Sequence, residues 1–125
     1  MSPNEPATRE ALLPGRVGLF VRLEANPGAR AALLDALHRY TDQLAEEPDT
    51  ELFLISLDPD NEDVVWLYEW FPDEEGLKRH QTAETFATLV NEVPDLLATP
   101  PGLLRVDPLR VHMKTAFLDD TVDAV

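Results

Sequence analysis

The sequence predicts an α+β fold: one antiparallel sheet with helices packed on one side. Three observations predict it. Short apolar, β-branched and aromatic runs at residues 17–24, 52–57 and 64–71 have strand character. Longer stretches near 28–46 and 73–98 place apolar residues at helical spacing. The polar turn Asp58-Pro59-Asp60-Asn61-Glu62-Asp63 joins the second and third strands so closely that they form an antiparallel hairpin.

Residues 1–15 read as a flexible arm. The first strand, 17–24, puts Leu19, Val21 and Leu23 on one face and Phe20, Arg22 and Glu24 on the other. Ala25-Asn26-Pro27-Gly28 turns into the first helix, whose stripe is Leu33, Leu37, Tyr40 and Leu44. Asp35 and Arg39 are spaced as a helix-supporting pair, and His38 falls off the stripe. Glu47-Pro48-Asp49 ends the helix, and 52–57 is apolar on both faces. The third strand, 64–71, is the most informative stretch. Trp66, Tyr68 and Trp70 share one face; Val65, Leu67, Glu69 and Phe71 share the other. Pro72-Asp73 stops it, and Asp73 is placed to cap a short helix carrying Leu77 and His80. Thr82 is the expected cap of a further helix with Phe86, Leu89, Val90 and Val93 on one stripe. Thr99-Pro100-Pro101-Gly102 breaks the chain before an extended stretch at 103–113, where Pro108 implies an edge or a bulge. Residues 16–113 thus read as one domain and 114–125 as a tail. Phe117 and Leu118 in that tail are candidates to cover a pocket or to exchange with a partner, with a disordered tail as the alternative.

The order strand, helix, strand, strand, helix, strand is the βαββαβ arrangement of ferredoxin-like domains. Two right-handed crossovers put both helices on the same side of the sheet. The middle strands are apolar on both faces, however, and a bare apolar sheet face is avoided by monomers. A homodimer formed by sheet-to-sheet packing is therefore expected.

Composition narrows the function. Twenty-four acids against ten bases give a net charge of −14, which repels phosphate backbones and anionic bilayers. Neither nucleic acid nor a membrane is an expected partner. No run approaches the roughly twenty apolar residues of a membrane span, and the start lacks the basic and apolar pattern of a secretory signal. With no cysteine there is no thiolate nucleophile or disulfide, which fits a cytoplasmic location. His38, His80 and His112 lie on separate elements and form no ligand motif, so no metal is expected. The acids of 58–63 have part of the spacing of a Ca²⁺ loop, but Asp63 stands where glycine is required, which favours a plain hairpin turn. Ser2 and Ser56 are the only serines, against a serine hydrolase, and no phosphate-binding glycine loop is present.

Leu67-Tyr68-Glu69-Trp70, then Asp73-Glu74-Glu75 with Leu77, His80, Thr82 and Phe86, resembles the antibiotic biosynthesis monooxygenase family. Asn26-Pro27-Gly28, Glu47-Pro48 and Leu96-Leu97 before the proline-rich break extend the resemblance over about residues 16–112. Asp49 stands where that family usually has glycine. The resemblance implies a dimeric α+β barrel and cofactor-independent oxidation of a small electron-rich aromatic (a phenol, quinol or polyketide-like ring) by O2. On that reading His80 is the catalytic proton acceptor or donor. Trp66, Tyr68, Trp70 and Phe86 supply substrate-binding walls, and Asn61 and Arg22 are candidates for polarising an oxygen. The alternative for His80 is structural, tying the helix junction to Glu69 or to a backbone carbonyl. The aromatic face likewise has a plain core reading. A non-catalytic small-molecule-binding dimer of the same fold is the rival function. A haem-degrading branch of the fold uses an Asn, a Trp and a ligand His. Here the first strand holds no Asn, His80 stands at the Trp position, and the ligand position falls near Val90.

Overall fold

The computed structural model describes residues 8–118. In chain order these form β1 Thr8–Leu12, β2 Val17–Glu24, α1 Arg30–Asp42, β3 Leu52–Leu57, β4 Val64–Phe71, α2 Glu74–Thr82, α3 Glu84–Glu92, β5 Gly102–Val106 and β6 Arg110–Lys114. Single 3-10 turns follow α1 at Leu44–Glu46 and α3 at Pro94–Leu96. The described residues divide into two compact units, Gly15–Asp107 and a smaller one of 8–14 with 108–118.

In the larger unit the sheet order is β3-β4-β2-β5, antiparallel throughout. With α1 and the α2–α3 pair as the two crossovers, this is the ferredoxin-like βαββαβ fold. The hairpin between β3 and β4 closes as its polar turn dictates. Asp58 Oδ1 accepts from the backbone amides of Asp60 at 2.9 Å and Asn61 at 3.0 Å.

Alternation along the strands separates two faces. Val21, Leu23, Val65, Leu67 and Phe71 are buried, and α1 lays Leu33, Ala36, Leu37 and Tyr40 into the same core. The opposite face keeps Phe20 39%, Trp66 36%, Leu54 52% and Leu104 61% exposed. Phe20 stacks on Tyr68 with centroids 4.3 Å apart, and Trp70 meets Tyr68 edge-on at 6.1 Å.

Several boundaries differ from the sequence expectation. Residues 8–12, expected within an arm, pair as β1 with β6, and residues 1–7 lie outside the described ones. The stretch 103–113 is two strands, because Asp107-Pro108-Leu109 interrupts the ladder, and β5 and β6 join different sheets. The larger unit ends at Asp107. Of the tail, residues 119–125 and any cover they form lie outside the described residues. The first helix is shorter than 28–46 because Gly28 takes φ +79° in the turn before it and the chain tightens into the 3-10 turn after it. Arg39 forms its ion pair with Glu92 of α3. Thr82 does not cap α3 but closes α2, its hydroxyl donating to the carbonyls of Lys78 and Arg79. Ala83, in an extended conformation, starts α3 without a side-chain cap.

Candidate active site

Between the sheet and the helices of the larger unit lies a cavity of about 650 Å³, a size suited to a small organic ligand. Its walls are apolar except for Tyr40, Glu69, His80, Gln81 and Thr99. Pro100, Pro101 and Leu103 line it at an exposed edge, whereas Tyr40, Glu69 and His80 are all buried. The cavity therefore has an open apolar mouth and a buried polar end.

The polar end is assembled from distant parts of the chain. Asp73 caps α2, its Oδ1 accepting from the Gly76 amide at 2.7 Å. This starts the helix so that His80, two turns on, faces inward. There the imidazole sits between the rings of Phe71 and Phe86, at centroid distances of 4.9 and 4.2 Å. Its Nδ1 lies 2.8 Å from Glu47 Oε1. Glu47 stands in the bend after the first 3-10 turn and is 5% exposed. The same Oε1 accepts from the Tyr40 hydroxyl at 3.0 Å and the Thr50 hydroxyl at 3.1 Å, while Thr85 donates to Oε2.

Electrostatics follow from this packing. Burial pushes the Glu47 carboxyl up, but hydrogen bonds from Thr85, His80 and Tyr40 outweigh it and hold the group below its ordinary value. Glu47 is thus an ionised acceptor, and Nδ1 carries the proton that bonds it. The lone pair of a neutral His80 is then on Nε2, 3.6 Å from Glu69 Oε1. Burial, with the Glu47 charge second, pushes Glu69 up to about 7. Burial and then the hydrogen bond to Glu47 drive the Tyr40 phenol up, so it stays protonated. A carboxylate-oriented histidine opening on an apolar chamber is an arrangement for moving protons to and from a ligand hydroxyl.

Of the residues expected at a site, the structure brings His80 and Phe86 to the cavity. Trp66, Tyr68 and Trp70 do not wall it. They lie on the opposite face of β4 from Leu67 and Glu69, as strand alternation requires. Arg22 is on that face too, 3.0 Å from Glu24 and with its guanidinium 6.0 Å from the centre of the Trp66 ring. Asn61 serves the hairpin turn, accepting from the Asp63 amide at 3.0 Å. Glu47 and Tyr40 were not anticipated at the site, and Glu69 was expected only as a structural tie for His80, whose hydrogen bond goes to Glu47 instead. Glu69 had a local signal, a carboxylate among apolar neighbours on the inward face. Glu47, 33 residues from His80, had none beyond ending a helix and belonging to the Glu47-Pro48 match of the family resemblance. Among the described residues no cluster of three or more metal-ligating side chains is placed to hold a metal ion. No helix there is long and apolar enough to cross a membrane.

Solved structures share this fold. A provisionally assigned antibiotic biosynthesis monooxygenase from Caulobacter crescentus superposes with a TM-score of 0.71 at 18% identity, over 77% of this chain and 92% of that one. The Rv0793 protein of Mycobacterium tuberculosis gives 0.70 at 21% identity, over 76% and 96%. The NE2512 protein of Nitrosomonas europaea, of unknown function, gives 0.65 at 32% identity, over 74% and 87%. No functionally curated protein matches the chain significantly in sequence. Residues 16–92 match the family model for antibiotic biosynthesis monooxygenase, a span that holds β2 to α3 with Glu47, Glu69 and His80, and the chain belongs to that family.

Proposed function

We propose that the protein is a cofactor-independent monooxygenase that oxidises a small electron-rich aromatic with O2, acting as a homodimer in the cytoplasm. The observation that carries this reading is His80, 4% exposed, hydrogen-bonded through Nδ1 to an ionised Glu47 and opening on the apolar cavity.

Removing a proton from a phenol or enol makes the substrate itself the electron donor to O2. The protein then has only to hold the ring, accept the proton and exclude water. Glu47 orients the imidazole and stabilises the imidazolium that forms. Phe86, with Leu19, Phe53 and Leu89, supplies apolar walls for a flat ring. In the balance, one oxygen atom enters the substrate. The other leaves as water with two hydrogens that the substrate gives up. The dimer rests on the sheet face bearing Phe20, Leu54, Trp66 and Leu104, which the helices leave uncovered.

The test is O2 uptake by metal-stripped, flavin-free protein with hydroquinones and anthrone-like phenols, against autoxidation without protein. Uptake well above that baseline is expected. His80→Ala should lower it at least a hundredfold while the protein stays folded. Trp66→Phe, away from the cavity, should leave it intact. Ligands that raise the melting temperature without any O2 consumption would replace this reading with a non-catalytic binding protein.

A further inference from the structure

Resting on the oxygenase reading, the geometry points to Glu69 as a second proton-exchanging residue facing the substrate beside His80, and to a ligand that enters uncharged with a hydroxyl at its buried end.

Glu69 occupies a position that the pleat of β4 reserves for apolar side chains. Its register partners are Leu19 on β2 and Phe53 on β3. It is 5% exposed and lines the cavity, yet its side chain makes no hydrogen bond among the described residues. Its ion-pair contact, His80 Nε2 at 3.6 Å, is beyond hydrogen-bond length. Buried carboxyl groups are normally hydrogen-bonded, and no fully occluded side-chain oxygen among the described residues lacks a partner, so the Glu69 carboxyl opens on the cavity and, beyond its contact with His80, has capacity free for a ligand. Glu47, by contrast, is saturated by four donors and serves only to hold His80 and its neighbours.

Ligand charge follows from the lining. Among the described residues no lysine or arginine borders the cavity. Glu47 is ionised close behind it, so a carboxylate or phosphate on the ligand would meet like charge with no counter-ion. A neutral ligand with one donor group fits instead. Its hydroxyl faces Glu69 and Nε2, and its ring fills the apolar remainder. In the transfer the substrate O–H bond breaks and its electron pair stays on the substrate oxygen. The proton passes to Glu69 and on to His80 Nε2, forming an imidazolium between the two carboxylates. No electron transfer is part of this step.

The groups facing Glu69 are Tyr40 from α1, Glu47 from the bend after it, and His80 from α2, while β2 and β3 present only Leu19 and Phe53. With its carboxyl raised to about 7 by burial and then by Glu47, Glu69 is divided between its two proton states near neutral pH. That suits a group that both takes and returns a proton.

The experiment is binding of naphthol and naphthoate, matched in ring and opposite in charge, measured anaerobically from pH 5 to 9 in wild type and in Glu69→Gln. Wild type should bind naphthol at least about tenfold more tightly than naphthoate. The naphthol affinity should rise as pH passes through the Glu69 titration, and Glu69→Gln should flatten that rise and narrow the preference. Naphthoate binding as tightly as naphthol, no naphthol binding, or an unchanged pH profile in folded Glu69→Gln would overturn the inference. If Glu69→Gln does not fold, the wild-type preference decides. Because binding is read without turnover, failure of O2 uptake sinks the oxygenase reading alone, whereas equal binding of the two ligands sinks this one alone.

Discussion

Glu47 and Glu69 lie on either side of one imidazole, and burial treats them oppositely. Glu47 has donors for its charge, so its folded-state carboxyl titrates low. Glu69 has none, so its carboxyl rises from 4.5 to about 7. A raised acid costs nothing below its unfolded value, where both states are protonated. Stability then falls as pH climbs from about 4.5 to 7, because the native state holds the proton longer. A shift of that size corresponds to roughly 3 kcal/mol at most. Glu69→Gln should therefore match wild type near pH 4 and exceed its stability by up to about 3 kcal/mol at pH 8, in urea melts. Glu47→Gln should do the reverse. The stability that Glu47 contributes is present above its unfolded value and lost as pH falls through its lower folded value. The substitution should cost about 3 kcal/mol at neutral pH, with the loss shrinking in acid. Two variants with the same pH slope would refute this assignment of charge.

At the scale of the element, α2 positions the histidine, and its start is tightly specified. Asp73 supplies the cap, and Gly76 lets Pro72 pack against the first turn. A Cβ on Gly76 would stand 2.9 Å from Pro72 Cδ, a ring atom with little freedom to yield. Asp73→Ala should cost about 1 kcal/mol through the lost cap. Gly76→Ala should also destabilise, although alanine is the better helix former by about 1 kcal/mol in an open site. Thermal melts of both check this; a stabilised Gly76→Ala would show that Pro72 moves aside. The cap at Asp73 was legible because an aspartate followed a proline at a strand end. Thr82 had the same local credentials, yet its hydroxyl turned back onto α2. Ala83 started α3 with no side-chain cap. Local sequence offered two equivalent places to break the helix, and packing chose between them.

For the molecule as a whole, the decisive feature is a sheet with two apolar faces and helices for only one. The uncovered face carries Phe20, Leu54, Trp66 and Leu104 in the larger unit. If a second subunit covers it, Leu54→Lys should convert a dimer into a folded monomer in light scattering at micromolar concentration. A wild-type monomer under the same conditions would refute the proposed assembly. The ribbon of β1 and β6 forms the smaller unit, held by paired registers from Thr8↔Lys114 to Leu12↔Arg110. Its first strand was invisible in sequence because TREAL has neither apolar alternation nor β-branched density. Its pairing partner lies a hundred residues away at β6.

The sequence alone determined the element order of the larger unit, the hairpin, the α2 cap and the two-faced strands, because period, turn chemistry and capping are local properties of neighbouring residues. It also determined that Glu69 shares a face with Val65 and Leu67 while Trp66, Tyr68 and Trp70 share the other. Only the tertiary structure decided which of those faces the helices cover, and with it that the aromatic trio lies away from the cavity and the lone carboxylate lines it. It alone brought Glu47 to His80, since contacts between distant segments depend on how elements pack rather than on any pattern within them.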